Sequence, residues 1–207
     1  ARPRGRCGRQ CRRKLKISWT NPNGILVNSL DEELIIKMKE SGCYMVSLGI
    51  ESGNQEVVDN IVKKPLSLDK CRRIIKILRK HKISVIGFFV IGMPGETIEN
   101  IKETINFIKT NDFDDVMVSI ASPYPGTEIW DIAIKEGYIT QDPYGAPKEL
   151  KPKFATLNTE EFTSKQVESL RNRAYFEFQL SKLRRNPIKY FLSYRNYTQI
   201  SRYSKLL

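Results

Sequence analysis

The segment that most constrains the fold is 83–97, ISVIGFFVIGMPGET. Its uncharged apolar run, rich in β-branched and aromatic residues, is typical of a strand buried on both faces of a parallel sheet. Gly92 and Gly95 lack a Cβ and Pro94 fixes its own φ, so the turn after the strand can approach a ligand closely or can simply serve the chain reversal. For Glu96 we favour a role as the cap of the next helix.

A unit of strand, turn and helix occurs four times, at intervals of about 30–40 residues. The predicted strands are KLKISWT (closed by the turn NPNG), CYMVSLGIES, the segment 83–97 and DDVMVSIASPYPGT. The predicted helices are a segment capped by Ser29 and ended by Gly42, a short one in GNQEVVDNIVKK, LDKCRRIIKILRKHK capped by Ser67, TIENIKETINFIKTN and TEIWDIAIKEG. Right-handed crossovers then give a parallel sheet that binds its ligand at the carboxyl ends of the strands.

The predicted fold class is therefore α/β, a partial (β/α) barrel of parallel strands with a C-terminal helical tail. Residues 1–14 form a basic lead-in that is disordered or foreign, residues 15–140 form the barrel, and residues 141–207 form a connector and a basic, aromatic tail. A helix of about twenty residues is expected from Ser164. The aromatic end of the tail can stack on bases, lie at a membrane interface or cover the open edge of the barrel, and we favour the last.

The net charge of +12 is carried by the two ends of the chain. Residues 1–16 contain eight Lys/Arg and no acid, residues 164–207 contain ten against two, and the middle contains 17 against 21. A basic face on the folded core is not indicated, so nucleic-acid binding is not expected as the main function. Because neither a membrane span nor a signal peptide is recognisable, we expect a soluble cytoplasmic protein with reduced cysteines.

Polar residues or glycines follow each of the four apolar strands. They are Thr20, Asn21 and Asn23; Gly49, Glu51 and Ser52; Gly92 to Glu96; and Ser119, Ser122, Pro123 and Tyr124. The carboxylate of Glu51 can accept hydrogen bonds from ribose hydroxyls or from an ammonium group, or it can be an acid favoured by a helix dipole. His81, the sole histidine, is expected to be a solvated residue at a helix end, and it builds no nucleophilic triad or dyad.

Cys7 and Cys11 are the only closely spaced cysteines. Two thiolates four residues apart can share a metal or a cluster, but a complete site needs further ligands. Position 14, where a third cysteine would complete CxxxCxxC, is Lys14. Cys43 and Cys71 are expected to be small core residues.

Three of the strand-end motifs together resemble the radical S-adenosylmethionine (SAM) superfamily. They are GIESG (49–53), GFFVIGMPGET (87–97) and SPYPGTEIW (122–130), in that order and at that spacing. The likeness is strongest to the branch whose members often carry a cobalamin-binding domain upstream. It implies an incomplete TIM-like barrel, in which a [4Fe–4S] cluster reductively cleaves SAM to a 5′-deoxyadenosyl radical. The activity implied is that of an oxidoreductase or a methyltransferase.

The resemblance also implies site residues, cofactors and partners. By position, Glu51 and Ser52 match the residues that meet the ribose and methionine parts of SAM, and the turn with Gly92, Pro94 and Gly95 matches the one near adenine. Ser122, Pro123 and Tyr124 match the adenine wall of the last strand. Cobalamin is a further cofactor in this branch, ferredoxin or flavodoxin is the expected electron donor, and a small-molecule or lipid-like substrate is expected.

One departure from the family concerns the cluster loop, which should precede the first barrel strand. Here CGRQC lies directly before KISW, which resembles the third strand. We therefore expect the chain to be the C-terminal two-thirds of a radical SAM domain, inactive alone, with its cluster ligands outside this chain. The sheet edge left by the two absent strands is expected to promote self-association.

Two other function classes remain open on the sequence. One is a binding module whose basic tails dock to nucleic acid or to an acidic membrane, and its binding should weaken steeply with salt. The other is an α/β barrel enzyme that uses the GMPGET turn for a phosphate, so that free phosphate should compete for its site.

Overall fold

The structure is a computed structural model that describes residues 17–139 and 156–192. Its strands are β1 (Trp19–Ile25), β2 (Cys43–Glu51), β3 (Ser84–Ile91) and β4 (Asp115–Ile120). Its helices are α1 (Glu32–Glu40), α2 (Leu68–Lys80), α3 (Ile98–Thr110), α4 (Glu128–Lys135), α5 (Ser164–Arg185) and α6 (Pro187–Leu192), with a 3₁₀ turn at Val27–Ser29 and a π-helical turn at Val57–Ile61. The predictions for the basic lead-in with Cys7, Cys11 and Lys14, for most of the connector and for the aromatic end of the tail lie outside the described residues.

The four strands form one parallel sheet in the order β1-β2-β3-β4, as the repeated strand and helix pattern predicts. Helices pack on one face, where Phe89 of β3 meets Phe107 of α3 and Phe113 with ring centroids 6.2 and 5.8 Å apart. These edge-to-face contacts bury large apolar rings at the centre of the core.

The other face of the sheet is only half-buried, and we call it the open face. It carries Ile86, Phe88 and Val90 of β3, which alternate with buried residues, and their register partners on β4, including Met117 and Ser119. Met117 is 53% exposed. The prediction that the strand in 83–97 is buried on both faces is therefore wrong, because helices cover only one side of β3 in the part of the chain that the structure describes.

Local sequence explains most helix starts. Ser67 caps α2, and Thr97 caps α3 in a reciprocal capping box with Asn100. Ser29 does not cap α1, because it lies in the 3₁₀ turn; the carboxylate of Asp31 accepts the Leu34 N–H instead, at 2.7 Å.

Strand β1 differs from the prediction in both position and regularity. It begins at Trp19 and runs through the NPNG segment that was expected to be a closing turn. Its pairing with β2 is interrupted by register shifts, and Gly24 has a φ of 86°. Pro22 lacks an N–H, which an edge strand tolerates and a central strand does not.

The outer edge of β4 is covered by α5, the predicted twenty-residue helix. The hydroxyl of Tyr175 accepts the N–H of Val118 at 2.9 Å, and the Arg171 Nε donates to the Val118 carbonyl at 2.8 Å. Lys182 donates to the Asp114 carbonyl at 2.7 Å. Side chains of α5 thus occupy backbone groups that a further strand would otherwise use. The sequence predicts that the aromatic end of the tail covers the open edge of the barrel. In the described residues, the helix that precedes this end, α5, covers the edge of β4.

None of the helices within 17–139 and 156–192 is long and apolar enough to cross a membrane.

Candidate ligand site at the carboxyl ends of the strands

An open cavity of about 370 Å³ lies where the carboxyl-terminal halves of all four strands meet. It is lined by Asn23, Gly24, Ile25, Leu26, Gly49, Glu51, Lys64, Phe88, Phe89, Val90, Met117 and Ser119. Its volume falls in the range of small-molecule sites, about 300–1,000 Å³. Its β3 and β4 side is an apolar wall of open-face residues, whereas Glu51 and Lys64 place opposite charges on the β2 side.

Glu51 ends β2 in a tight turn. Its φ is 72°, and the Ser52 N–H donates to the Ile50 carbonyl at 3.0 Å, two residues back, as in a γ-turn with positive φ. Few residues other than glycine adopt this backbone region, and the strain costs of order 1 kcal/mol or more. The reversal leaves the Glu51 carboxylate in the cavity while Ser52 turns into the interior.

The carboxylate of Glu51 is held by a lysine that the sequence analysis did not single out. The Nζ of Lys64 lies 2.9 Å from Glu51 Oε1 and donates to the Gly49 carbonyl at 2.7 Å. Lys64 follows the π-helical turn and directly precedes Pro65; the helical run that we expected Pro65 to end stops earlier, at Ile61. The sequence offers one signal for Lys64: it is a lysine directly before a proline, in the loop that follows a strand end expected to bind ligand. No nearby residue indicates that this loop folds back onto β2.

The rest of the GIESG motif anchors the turn to α3. The fully buried Ser52 hydroxyl lies 3.0 Å from the Thr104 hydroxyl, which also accepts the Gly53 N–H at 2.9 Å. A Cβ on Gly53 would lie 2.5 Å from the Cβ of Phe107, so this position requires glycine for close packing. The side chain of Ser52 therefore fixes the turn, and only its backbone adjoins the cavity residue Glu51.

The turn after β3 is closed by Glu96. Its Oε2 accepts the N–H groups of Gly92 at 2.7 Å and Met93 at 3.2 Å, while Thr97 serves as the helix cap. The expected capping role of Glu96 is thus wrong, because its side chain folds back onto the turn. Burial raises the pKa of this carboxyl to about 7, despite the two backbone donors.

The space next to the Cα of Gly92 is occupied by another part of the protein. Its φ is 78°, and a Cβ there would lie 2.8 Å from Cγ1 of Val167 on α5. Glycine is required at this position by the left-handed backbone and by the packing of the C-terminal helix. Pro94 is half-buried and Gly95 is exposed, both directly after the strand end.

The last predicted segment follows β4. Ser122 donates to the Ile120 carbonyl at 3.4 Å, Pro123 is buried, and Tyr124 is 48% exposed. Of the eight residues predicted for the site, Glu51 is the one that lines the cavity. The polar residues Asn23 and Ser119, singled out as following strands, also line it, whereas Phe88, Val90 and Met117 were not anticipated.

The described residues offer no cluster of three or more metal-ligating side chains. Cys43 and Cys71 are buried in the core, as predicted, and burial raises the pKa of Cys71 to about 11. A neutral buried thiol is a poor metal ligand at neutral pH. His81 caps the end of α2, half-buried rather than solvated, with its Nε2 3.3 Å from Glu32.

Fold and site together define the class: an open, partial (β/α) barrel with a cavity at the carboxyl ends of its parallel strands. Residues 9–108 match the sequence model of the radical SAM superfamily. The chain belongs to that superfamily.

The relatives extend the likeness to methyltransferases. The chain is 33% identical, over 166 residues, to an uncharacterised methyltransferase of Pyrococcus horikoshii, covering 80% of this chain and 35% of that protein. It is 35% identical, over 133 residues, to the cytidylyl-2-hydroxyethylphosphonate methyltransferase of Streptomyces wedmorensis, covering 61% and 25%. The chain thus spans about a third or less of the curated relatives that it matches.

A solved structure supports the fold. The radical SAM methyltransferase TsrM from Kitasatospora setae, with cobalamin and a [4Fe–4S] cluster bound, superposes with a TM-score of 0.54. The match covers 78% of this chain and 33% of that chain at 17% identity. At this identity the likeness shows a shared partial barrel and leaves the chemistry to other evidence.

Proposed function

We propose that the cavity at the carboxyl ends of β1 to β4 is part of a SAM site. The observation that carries the proposal is the position of Glu51, which a strained turn and an ion pair hold at the edge of this cavity in a chain of the radical SAM superfamily. Strain of this kind persists where the surrounding structure enforces it, and it often accompanies a functional site.

The chemistry of the lining suits the parts of SAM. The carboxylate of Glu51 can accept hydrogen bonds from ribose hydroxyls or from the ligand's ammonium, as proposed from the family pattern. Phe88, Val90 and Met117 offer apolar surface to the uncharged parts of the ligand. We assign three further segments to the surroundings of the nucleoside. They are the turn with Gly92, Pro94 and Gly95, the segment from Ser122 through Pro123 to Tyr124, and the backbone at Ser52.

The whole protein, by this proposal, is a radical SAM methyltransferase. Support comes from the similarity to the methyltransferases of Pyrococcus and Streptomyces. A [4Fe–4S] cluster, when bound, supplies the electron that cleaves SAM, and its ligands would lie outside the described residues. We propose cobalamin as a further cofactor by likeness to the TsrM structure, and ferredoxin or flavodoxin as the electron donor.

The remaining proposals concern substrate, location and assembly. The apolar wall of the cavity favours a small-molecule or lipid-like substrate over a nucleic acid. The few, widely spaced cysteines of the chain fit a reducing compartment, so we place the protein in the cytoplasm. We also propose that the outer edge of β1 is where the chain associates with a second copy or with a preceding strand.

Titration calorimetry with SAM tests the assignment of the cavity. We expect saturable binding that excess inorganic phosphate does not displace, and an affinity about tenfold weaker in Glu51→Ala, the loss typical of one hydrogen bond to a charged group. Glu33→Ala is the matched control, because Glu33 is an exposed carboxylate paired with Lys37 on α1. Equal affinity in folded Glu51→Ala, or displacement by phosphate, would contradict the proposal; circular dichroism reports folding.

A further inference from the structure

The ion pair in the cavity balances the charge of its lining. Among the described residues that line the cavity, Lys64 is the one cation and Glu51 the one anion. Their side chains are only 22% and 27% exposed. Two of the three N–H groups of the ammonium are accounted for, by Glu51 Oε1 and by the Gly49 carbonyl.

Gly49 makes room for this arrangement. A Cβ on Gly49 would lie 3.2 Å from both Glu51 Oε1 and Lys64 Nζ. The pair therefore lies directly against the backbone of β2, where the half-buried setting reduces its screening by water and salt.

An unpaired, half-buried ammonium at a strand end would attract phosphate groups. A carboxylate at 2.9 Å cancels most of that attraction and also repels a second anion. The cavity thus presents charge of both signs but no net charge.

We propose that the Glu51–Lys64 ion pair is the charge-selectivity element of the cavity: it admits nucleosides that carry no phosphate, including the sulfonium nucleoside SAM, and excludes phosphorylated ones. The inference rests on the proposed function in taking this cavity as the ligand site. Its main consequence, however, is a change in the binding of anions, which is measured separately from the binding of SAM. When the carboxylate is neutralised, Lys64 becomes available and the cavity becomes an anion site.

The neighbouring lysine provides a matched control. Lys63 pairs with Glu128 of α4 at 2.6 Å, but both side chains are exposed, at 62% and 69%, and neither lines the cavity. Glu128→Gln therefore releases a lysine from the same loop without altering the lining.

The experiment is titration of the wild-type chain and its variants with inorganic pyrophosphate at low ionic strength. We expect Glu51→Gln to bind pyrophosphate at least about tenfold more tightly than the wild type. The gain should vanish in the double variant Glu51→Gln/Lys64→Met and should be absent in Glu128→Gln. Glu51→Asn is the second neutral variant, because asparagine tolerates the left-handed backbone that this position requires.

Two results would overturn the inference: no gain in pyrophosphate binding over the wild type in whichever neutral variant folds, or a gain that survives the loss of Lys64. Binding of SAM by the wild type is scored separately. Anion binding gained by Glu51→Gln without SAM binding by the wild type would refute the proposed function alone, and the reverse pattern would refute the selectivity element alone.

Discussion

At the scale of single residues, Glu96 is the most consequential buried acid of the structure. It is fully buried, its Oε2 accepts two backbone N–H groups of the turn, and its Oε1 has no hydrogen-bond partner among the described residues. Burial raises its pKa from 4.5 to about 7, because water no longer stabilises the charge. The folding of the turn after β3 is therefore coupled to the binding of a proton by Glu96.

This coupling predicts a pH dependence of stability. Between about pH 4.5 and 7 the folded state keeps a proton that the unfolded state releases, so the contribution of Glu96 to stability falls as pH rises and is level above that window. Glu96→Gln should remove this decline, which amounts to about 3 kcal/mol in the free energy of unfolding. Urea denaturation of both proteins at about pH 5 and pH 8 measures it. Parallel pH profiles would refute the coupling.

At the scale of elements, the contact of α5 with the edge of β4 defines one boundary of the sheet. The buried hydroxyl of Tyr175 accepts the Val118 N–H, so its removal leaves a strand donor without this acceptor. The packing of the ring against Arg171, 5.0 Å from its centroid, would survive in phenylalanine.

Tyr175→Phe should therefore lower the free energy of unfolding by about 1–2 kcal/mol and speed hydrogen exchange of the Val118 amide. Chemical denaturation and exchange measured by NMR check the two effects. Tyr44→Phe is the control, since Tyr44 is 48% exposed on β2 and its change should be nearly neutral. Unchanged exchange at Val118 would mean that this hydrogen bond does not protect the edge.

The sequence predicted elements well because their signals are local. The apolar runs, the Ser67 cap and the strand-end motifs each lie within a few residues, and together they yield four parallel strands. The start of α1 was misplaced because Ser29 and Asp31 are both good caps, and only the 3₁₀ turn decides between them.

The site was predicted less completely because its contacts are distant in sequence. Lys64 reaches Glu51 across thirteen residues, Ser52 reaches Thr104 across 52, and Gly92 meets Val167 of the last long helix. The motif pattern drew attention to Glu51, whose side chain lines the cavity. It could not separate residues that face the cavity from those, such as Ser52, whose side chains hold the turn together.

At the scale of the whole molecule, the two edges and two faces of the sheet differ. The edge at β4 is covered by α5, whereas in the described part of the chain no strand pairs with the outer edge of β1. Pro22 and the register shifts make β1 a poor template along part of its length. Any barrel completion, by preceding strands or by another copy, must therefore proceed from β1 and over the open face.

Methionine oxidation tests whether the open face is an interior surface of a larger barrel. Met117 is 53% exposed, whereas Met38 and Met93 are buried. In this chain Met117 should oxidise first under peroxide, and in a longer protein with the preceding barrel strands it should become protected, as read by mass spectrometry. The two buried methionines are internal controls. Rapid oxidation of Met117 in the longer protein would contradict closure over this face.

The central claim is that SAM binds at the carboxyl ends of the four strands. The most direct test is a set of amide NMR spectra of the chain recorded during titration with SAM. We predict shifts at Gly49 to Gly53, at Gly92 to Gly95 and around Ser119, and unchanged signals at the opposite strand ends, Cys43, Ser84 and Asp115. Shifts confined to those opposite ends, or no shifts at saturating SAM, would contradict the account.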